Sequence, residues 1–89
     1  MYYIYQITLF GKVLYIGYTN NPTVRWHFHQ HYETNEILKK YFLANDIKSF
    51  KFEIIHSCLT YRQAKLLGAE LIKKESETNF YLINSIIGD

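Results

Sequence analysis

Tyr15, Arg25 and His29 concentrate the chemistry of this chain: a phenol closing an apolar run, a guanidinium beyond a turn, and an imidazole four residues further on. A guanidinium offers a rigid fork to an anionic oxygen, and an imidazole orients or relays a proton. A phenol, with an ordinary pKa near 10, serves as a base only where a metal or nearby cation stabilises its phenolate. Taken singly, Tyr3, Tyr5 and Tyr15 read as ordinary strand aromatics and Arg25 as a solvated surface residue. Their arrangement argues otherwise. Gly17 ends the run, Asn20-Asn21 open a turn, and Pro22 stands where a helix begins, with Asn21 as the expected N-cap. A helix from Pro22 stacks Arg25 and His29 on one face and projects them back toward the strand end that carries Tyr15. His27, His29 and His31 alternate like a metal comb, but residues two apart on a helix diverge, so three ligands cannot converge.

The elements that must position these groups follow from the pattern. Tyr2 to Phe10 is almost wholly aromatic or β-branched, Gly11-Lys12 interrupts, and Val13 to Ile16 resumes, which predicts a hairpin with strands over 2–9 and 12–17. The first helix runs from Pro22 to about Tyr32. Thr34-Asn35 is a fresh capping pair, and Ile37, Leu38, Tyr41 and Phe42 at helical spacing predict a second helix stopping near Asn45. Phe50-Lys51-Phe52-Glu53-Ile54-Ile55 starts in alternation and ends as an apolar run, predicting a strand over 50–57 whose end is buried. Thr60 with Gln63 forms a capping box for a third helix to about Glu75, with Ala64, Leu67, Leu71 and Ile72 facing the sheet. Phe80 to Ile87 reads as a short apolar tail in which Asn84 is the strongly polar residue.

Eighty-nine residues, 48% hydrophobic, make one domain over 1–89 able to bury a core and fold alone. A net charge of +2 is too weak to identify a nucleic-acid partner by itself, although ten Lys and Arg can gather on one face. Cys58 is the single cysteine, which excludes an internal disulfide and a cysteine-rich metal cage and suits a reducing compartment. With no leader-like segment and no apolar run approaching a membrane span, a cytoplasmic protein without a membrane partner is expected.

The spacing resembles that of the GIY-YIG nuclease domain. Tyr3-Ile4-Tyr5 is followed after nine residues by Tyr15-Ile16-Gly17, then by an arginine eight beyond that glycine and a histidine four further on. Tyr3 stands where the first triplet has glycine; the second triplet is intact. Thr60, Ala64 and Leu66 to Lys74 are similar to the family's third helix, and Tyr81-Leu82-Ile83-Asn84 to its closing asparagine segment. The resemblance implies an α+β fold, a small three-stranded, mainly antiparallel sheet flanked by helices, and metal-dependent hydrolysis of DNA phosphodiesters. It implies catalytic roles for Tyr5, Tyr15, Arg25, His29 and Asn84, and Mg²⁺ or Mn²⁺ as cofactor of the parent activity. Tyr15 would be the general base, Arg25 the phosphate ligand and His29 a proton relay, with Tyr5 bonding water or phosphate. Tyr18 replaces a lysine that some members carry after the glycine, leaving one cation fewer near the base.

The metal-binding carboxylate departs from the pattern. The family's Leu-Leu-Glu-Ala-Glu-Leu-Ile-Lys string corresponds to Leu66-Leu67-Gly68-Ala69-Glu70-Leu71-Ile72-Lys73, so Gly68 holds the position of the metal-binding glutamate. At about 100° per residue Gly68 lies within roughly 60° of Ala64, Leu71 and Ile72 on the sheet-facing stripe. Glu70, the alternative ligand, points some 200° away, beside Gln63, Lys73 and Lys74. Glutamate and glycine codons differ by one nucleotide, so a deliberate or spontaneous inactivation is as plausible an origin for Gly68 as a natural loss. The expected function is a GIY-YIG endonuclease impaired at its metal site, with DNA as partner. The alternatives are a non-catalytic DNA-binding module, distinguished by the absence of plasmid nicking, and a protein-interaction module, distinguished by the absence of salt-dependent DNA binding. Oligomeric state is left open.

Overall fold

The computed structural model describes residues 1–84. The β-branched and aromatic runs form strands Tyr2–Leu9 (β1) and Lys12–Thr19 (β2), paired antiparallel. Phe10 and Gly11 between them have φ of 50° and 81°, the left-handed geometry whose twist suits a two-residue hairpin. Helices Pro22–Tyr32 (α1) and Glu36–Ala44 (α2) follow, then a 3₁₀ turn at Ile47–Ser49, strand Phe50–Cys58 (β3) and helix Tyr61–Ser76 (α3). The sheet order is β2-β1-β3, with β1 antiparallel to both neighbours. This is the expected α+β fold.

Each helix starts at the cap its sequence supplies. The Asn21 side chain accepts from the Val24 N–H, and that of Asn35 from Ile37 and Leu38. Thr60 accepts from the Gln63 N–H while the Gln63 side chain accepts from the Thr60 N–H, the reciprocal box that satisfies two otherwise orphaned donors.

The core lies on both faces of the sheet. On one, Tyr5, Ile7 and Leu9 of β1 pack with Leu38 of α2 and Phe50, and Trp26 of α1 closes against them. On the other, Ile4 and Ile16 pack with Ala64 of α3, Cys58 and Leu82. Central β1 is thus covered by α1 and α2 on one side and α3 on the other. Cys58 is a buried thiol.

The expected burial of Ile54-Ile55 is corrected. Ile54 is 44% exposed and Ile55 only half-buried. The β1–β3 register passes from Ile4↔His56 to Tyr5↔Ile54, a bulge that leaves Ile55 unpaired. Of the two, Ile55 packs on the α3 side, and among the described residues β3 is an edge strand of the sheet. Strand composition alone does not distinguish an edge from a centre.

The outer edge of β2 is occupied by two asparagines. Asn79 Nδ2 donates to the Val13 carbonyl at 2.8 Å. Asn84 Oδ1 accepts from the Ile16 N–H at 2.7 Å and its Nδ2 donates to the Ile16 carbonyl at 2.9 Å, as a peptide of a neighbouring strand would. The expected apolar tail begins here, with Leu82 and Ile83 buried; its residues 85–87 lie outside the described ones.

Candidate functional site

A cleft of about 430 Å³ opens where β2 meets α1 and α3. Tyr15, Gly17 and Tyr18 of β2 form its floor, Arg25 enters from α1, and Lys65 and Gly68 line it from α3. Strand, turn and capped helix bring Tyr15 and Arg25 together as their spacing predicts. Arg25 is exposed and Tyr15 half-buried, so guanidinium and phenol both reach the cleft.

Behind this surface lies a buried polar chain. Tyr5, 1% exposed, places its hydroxyl 2.8 Å from Nε2 of His29, itself 3% exposed. The other ring nitrogen, Nδ1, lies 2.9 Å from Oε2 of Glu33. In a neutral imidazole the Nδ1–H donates to Glu33 and Nε2 accepts from the Tyr5 hydroxyl, so every polar atom is partnered. Burial pushes the Tyr5 phenol well above its ordinary value; the neighbouring Tyr15 pushes the same way and Arg25 opposes it. Tyr5 therefore stays protonated where Tyr15 fronts the cleft. The Tyr15 ring packs 5.5 Å from the His29 ring and 6.2 Å from that of Tyr5, centroid to centroid.

Gly17 makes this chain possible. It faces Tyr5 across the strand pair, and a Cβ there would lie 2.5 Å from the Tyr5 hydroxyl oxygen and 2.6 Å from Cζ. Glycine lets the phenol cross β2 and reach His29.

The geometry revises three expected roles. Tyr5 borders the cleft but is almost fully buried, and its hydroxyl is directed at His29. His29 is held between Tyr5 and Glu33 with both nitrogens satisfied, so it stands behind the cleft rather than in it. Asn84 borders the cleft but commits its whole carboxamide to Ile16, next to Tyr15. The histidine comb divides as helix geometry requires: His29 is buried, while exposed His27 and His31 approach each other at 4.4 Å between ring centroids.

Two residues were missed. Lys65 brings a second cation to the cleft, so the loss of a lysine at Tyr18 does not leave Arg25 alone. The signal was present, because Lys65 lies three residues before Gly68 and hence on the same helical face. Glu33 lies four beyond His29, the same spacing that joins His29 to Arg25.

Gly68 is buried on the wall of the cleft, and a Cβ there would find Tyr18 Cδ1 at 3.6 Å, an ordinary contact. Glu70 is exposed and lines a different hollow, with Gln63, Leu67 and the end of β3. Tyr15 and Arg25 also border a second hollow on their other side, beside the α1–α2 junction, where His29 and the carboxylates of Glu33 and Glu36 complete the lining. Among the described residues no group of three or more His, Cys, Asp or Glu could hold a metal ion. Hard divalent cations require oxygen ligands, chiefly carboxylates, and this cleft presents a guanidinium and an ammonium instead. The residues present do not fit such an ion.

The chain belongs to the GIY-YIG family: the model of the GIY-YIG catalytic domain matches residues 1–81. This is a family of nucleases that act on DNA, generally with divalent metals. The match ends before Asn84. Comparison with curated proteins and with solved structures returned no match.

Proposed function

We propose that this domain engages DNA through backbone phosphates in the Tyr15–Arg25–Lys65 cleft and that Gly68 disables the metal-dependent cleavage of its family. The observation that carries this reading is a cleft lined by two cations and no carboxylate, with Gly68 on its wall; the resemblance puts that glycine at the position of the metal-binding glutamate. Arg25 and Lys65 hold non-bridging oxygens, and Tyr15 stands as the latent general base. Tyr5, His29 and Glu33 position Tyr15 from behind, and Asn84 fixes the backbone beside it.

The test is supercoiled-plasmid nicking with Mg²⁺ or Mn²⁺. The unaltered chain should nick little or not at all. Gly68→Glu should restore nicking, Tyr15→Phe or Arg25→Ala in that background should abolish it, and Glu70→Ala should leave it intact. Duplex binding should be weak, indifferent to sequence, and steeply weakened by salt. Nicking by the unaltered chain that Glu70→Ala stops would identify Glu70 as the ligand and overturn the assignment of Gly68.

A further inference from the structure

A row of three tyrosines leads out of the cleft. Tyr18 forms part of the cleft floor, and its hydroxyl donates to that of Tyr61, 3.4 Å away, at the first turn of α3. Tyr61 is 48% exposed, yet its ring is held by edge-on contacts from two sides: Tyr18 at 5.6 Å and 68°, and Tyr2 at 5.7 Å and 69°. An aromatic ring fixed by its neighbours and still half in water presents contact area at little cost in conformational entropy. The hydrogen bond from Tyr18 to Tyr61 raises the Tyr18 phenol above its ordinary value.

Gly68 adds to the opening, since a longer side chain there would project from beside the Tyr18 ring edge. Arg25 and Lys65 mark where a phosphate sits, so the adjoining nucleotide falls at the tyrosine rim. In duplex DNA the base faces are hidden in the helical stack. Only an unpaired base has a face free to lie on a phenol, and such stacking tolerates any base.

Resting on the nucleic-acid reading above, we infer that Tyr61, braced by Tyr2 and Tyr18, stacks an unpaired base next to the phosphate held by Arg25 and Lys65. The preferred ligand is then DNA with a single-stranded stretch.

The test is fluorescence anisotropy with a labelled single strand and with the same strand annealed as a duplex, at equal salt. The single strand should bind more tightly. Tyr61→Ala should weaken single-strand binding by roughly five- to 150-fold and duplex binding by less than about twofold. Tyr61→Phe, which keeps the ring, should retain single-strand affinity, and Tyr61→Leu, which keeps apolar bulk, should not. Thermal melts of each variant confirm folding. Equal affinity for both forms, or equal loss from both in Tyr61→Ala, overturns the inference while salt-sensitive duplex binding through Arg25 still stands. A chain that binds neither form refutes the nucleic-acid reading and this inference together.

Discussion

Replacing Gly68 by alanine should stabilise the domain by about 1 kcal/mol. Gly68 lies inside α3, where glycine loses backbone entropy that alanine does not. Among the described residues, and apart from its chain neighbours and the local helix backbone, a new Cβ meets only Tyr18 Cδ1 within 4 Å, at 3.6 Å, an ordinary contact that accommodates the methyl group. For a domain of this size the gain corresponds to a rise in Tm of roughly 4–8 °C, measurable by circular dichroism. Gly17→Ala is the control with the opposite sign. Its Cβ would come within 2.5, 2.6 and 2.9 Å of three atoms of the Tyr5 side chain, which is pinned by His29 and stacked on Phe52. Overpacking of that kind costs about 1–3 kcal/mol. A Gly68→Ala variant that melts at or below the parent temperature would refute the reasoning: the glycine would then serve packing, and its link to a lost carboxylate would lose its physical basis.

Two further outcomes follow from the buried polar groups. Asn84→Ala strands the Ile16 N–H and carbonyl, and should cost about 2–4 kcal/mol, read as a lowered urea midpoint at unchanged m. Stability should also fall above pH 10, because the Tyr5 phenol, raised by burial from 10.0, stays protonated in the folded chain while it ionises in the unfolded one. This contribution is complete below pH 10 and shrinks by about 1.4 kcal/mol per pH unit above it; Tyr5→Phe should flatten that slope in denaturant titrations from pH 9 to 11.

What the sequence made legible was local chemistry. Asn21, Asn35 and the Thr60–Gln63 pair cap their helices because capping is decided within four residues. Strand ends were less legible: β2 continues to Thr19 and β3 to Cys58, since pairing across the sheet, not composition, decides where a strand stops. The meeting of Tyr15 with Arg25 was readable from one strand, one turn and one helix face. The engagement of Tyr5 by His29 was not, because it depends on a glycine in the neighbouring strand leaving room for a ring. Nor was the role of Asn84, whose partner lies 68 residues away in the chain. A helical wheel centred on Gly68 would have found Lys65, had it been drawn for charges as well as for apolar residues.

The asparagines along β2 act as a stop on that margin of the sheet. The Val13 carbonyl and both backbone polar groups of Ile16 are already occupied by carboxamides, so an approaching strand finds those positions satisfied. Among the described residues β3 forms the opposite margin, across β1 from the cleft. Extending the sheet beyond β2 would therefore require Asn79 and Asn84 to give up these bonds, and Asn84 borders the cleft itself.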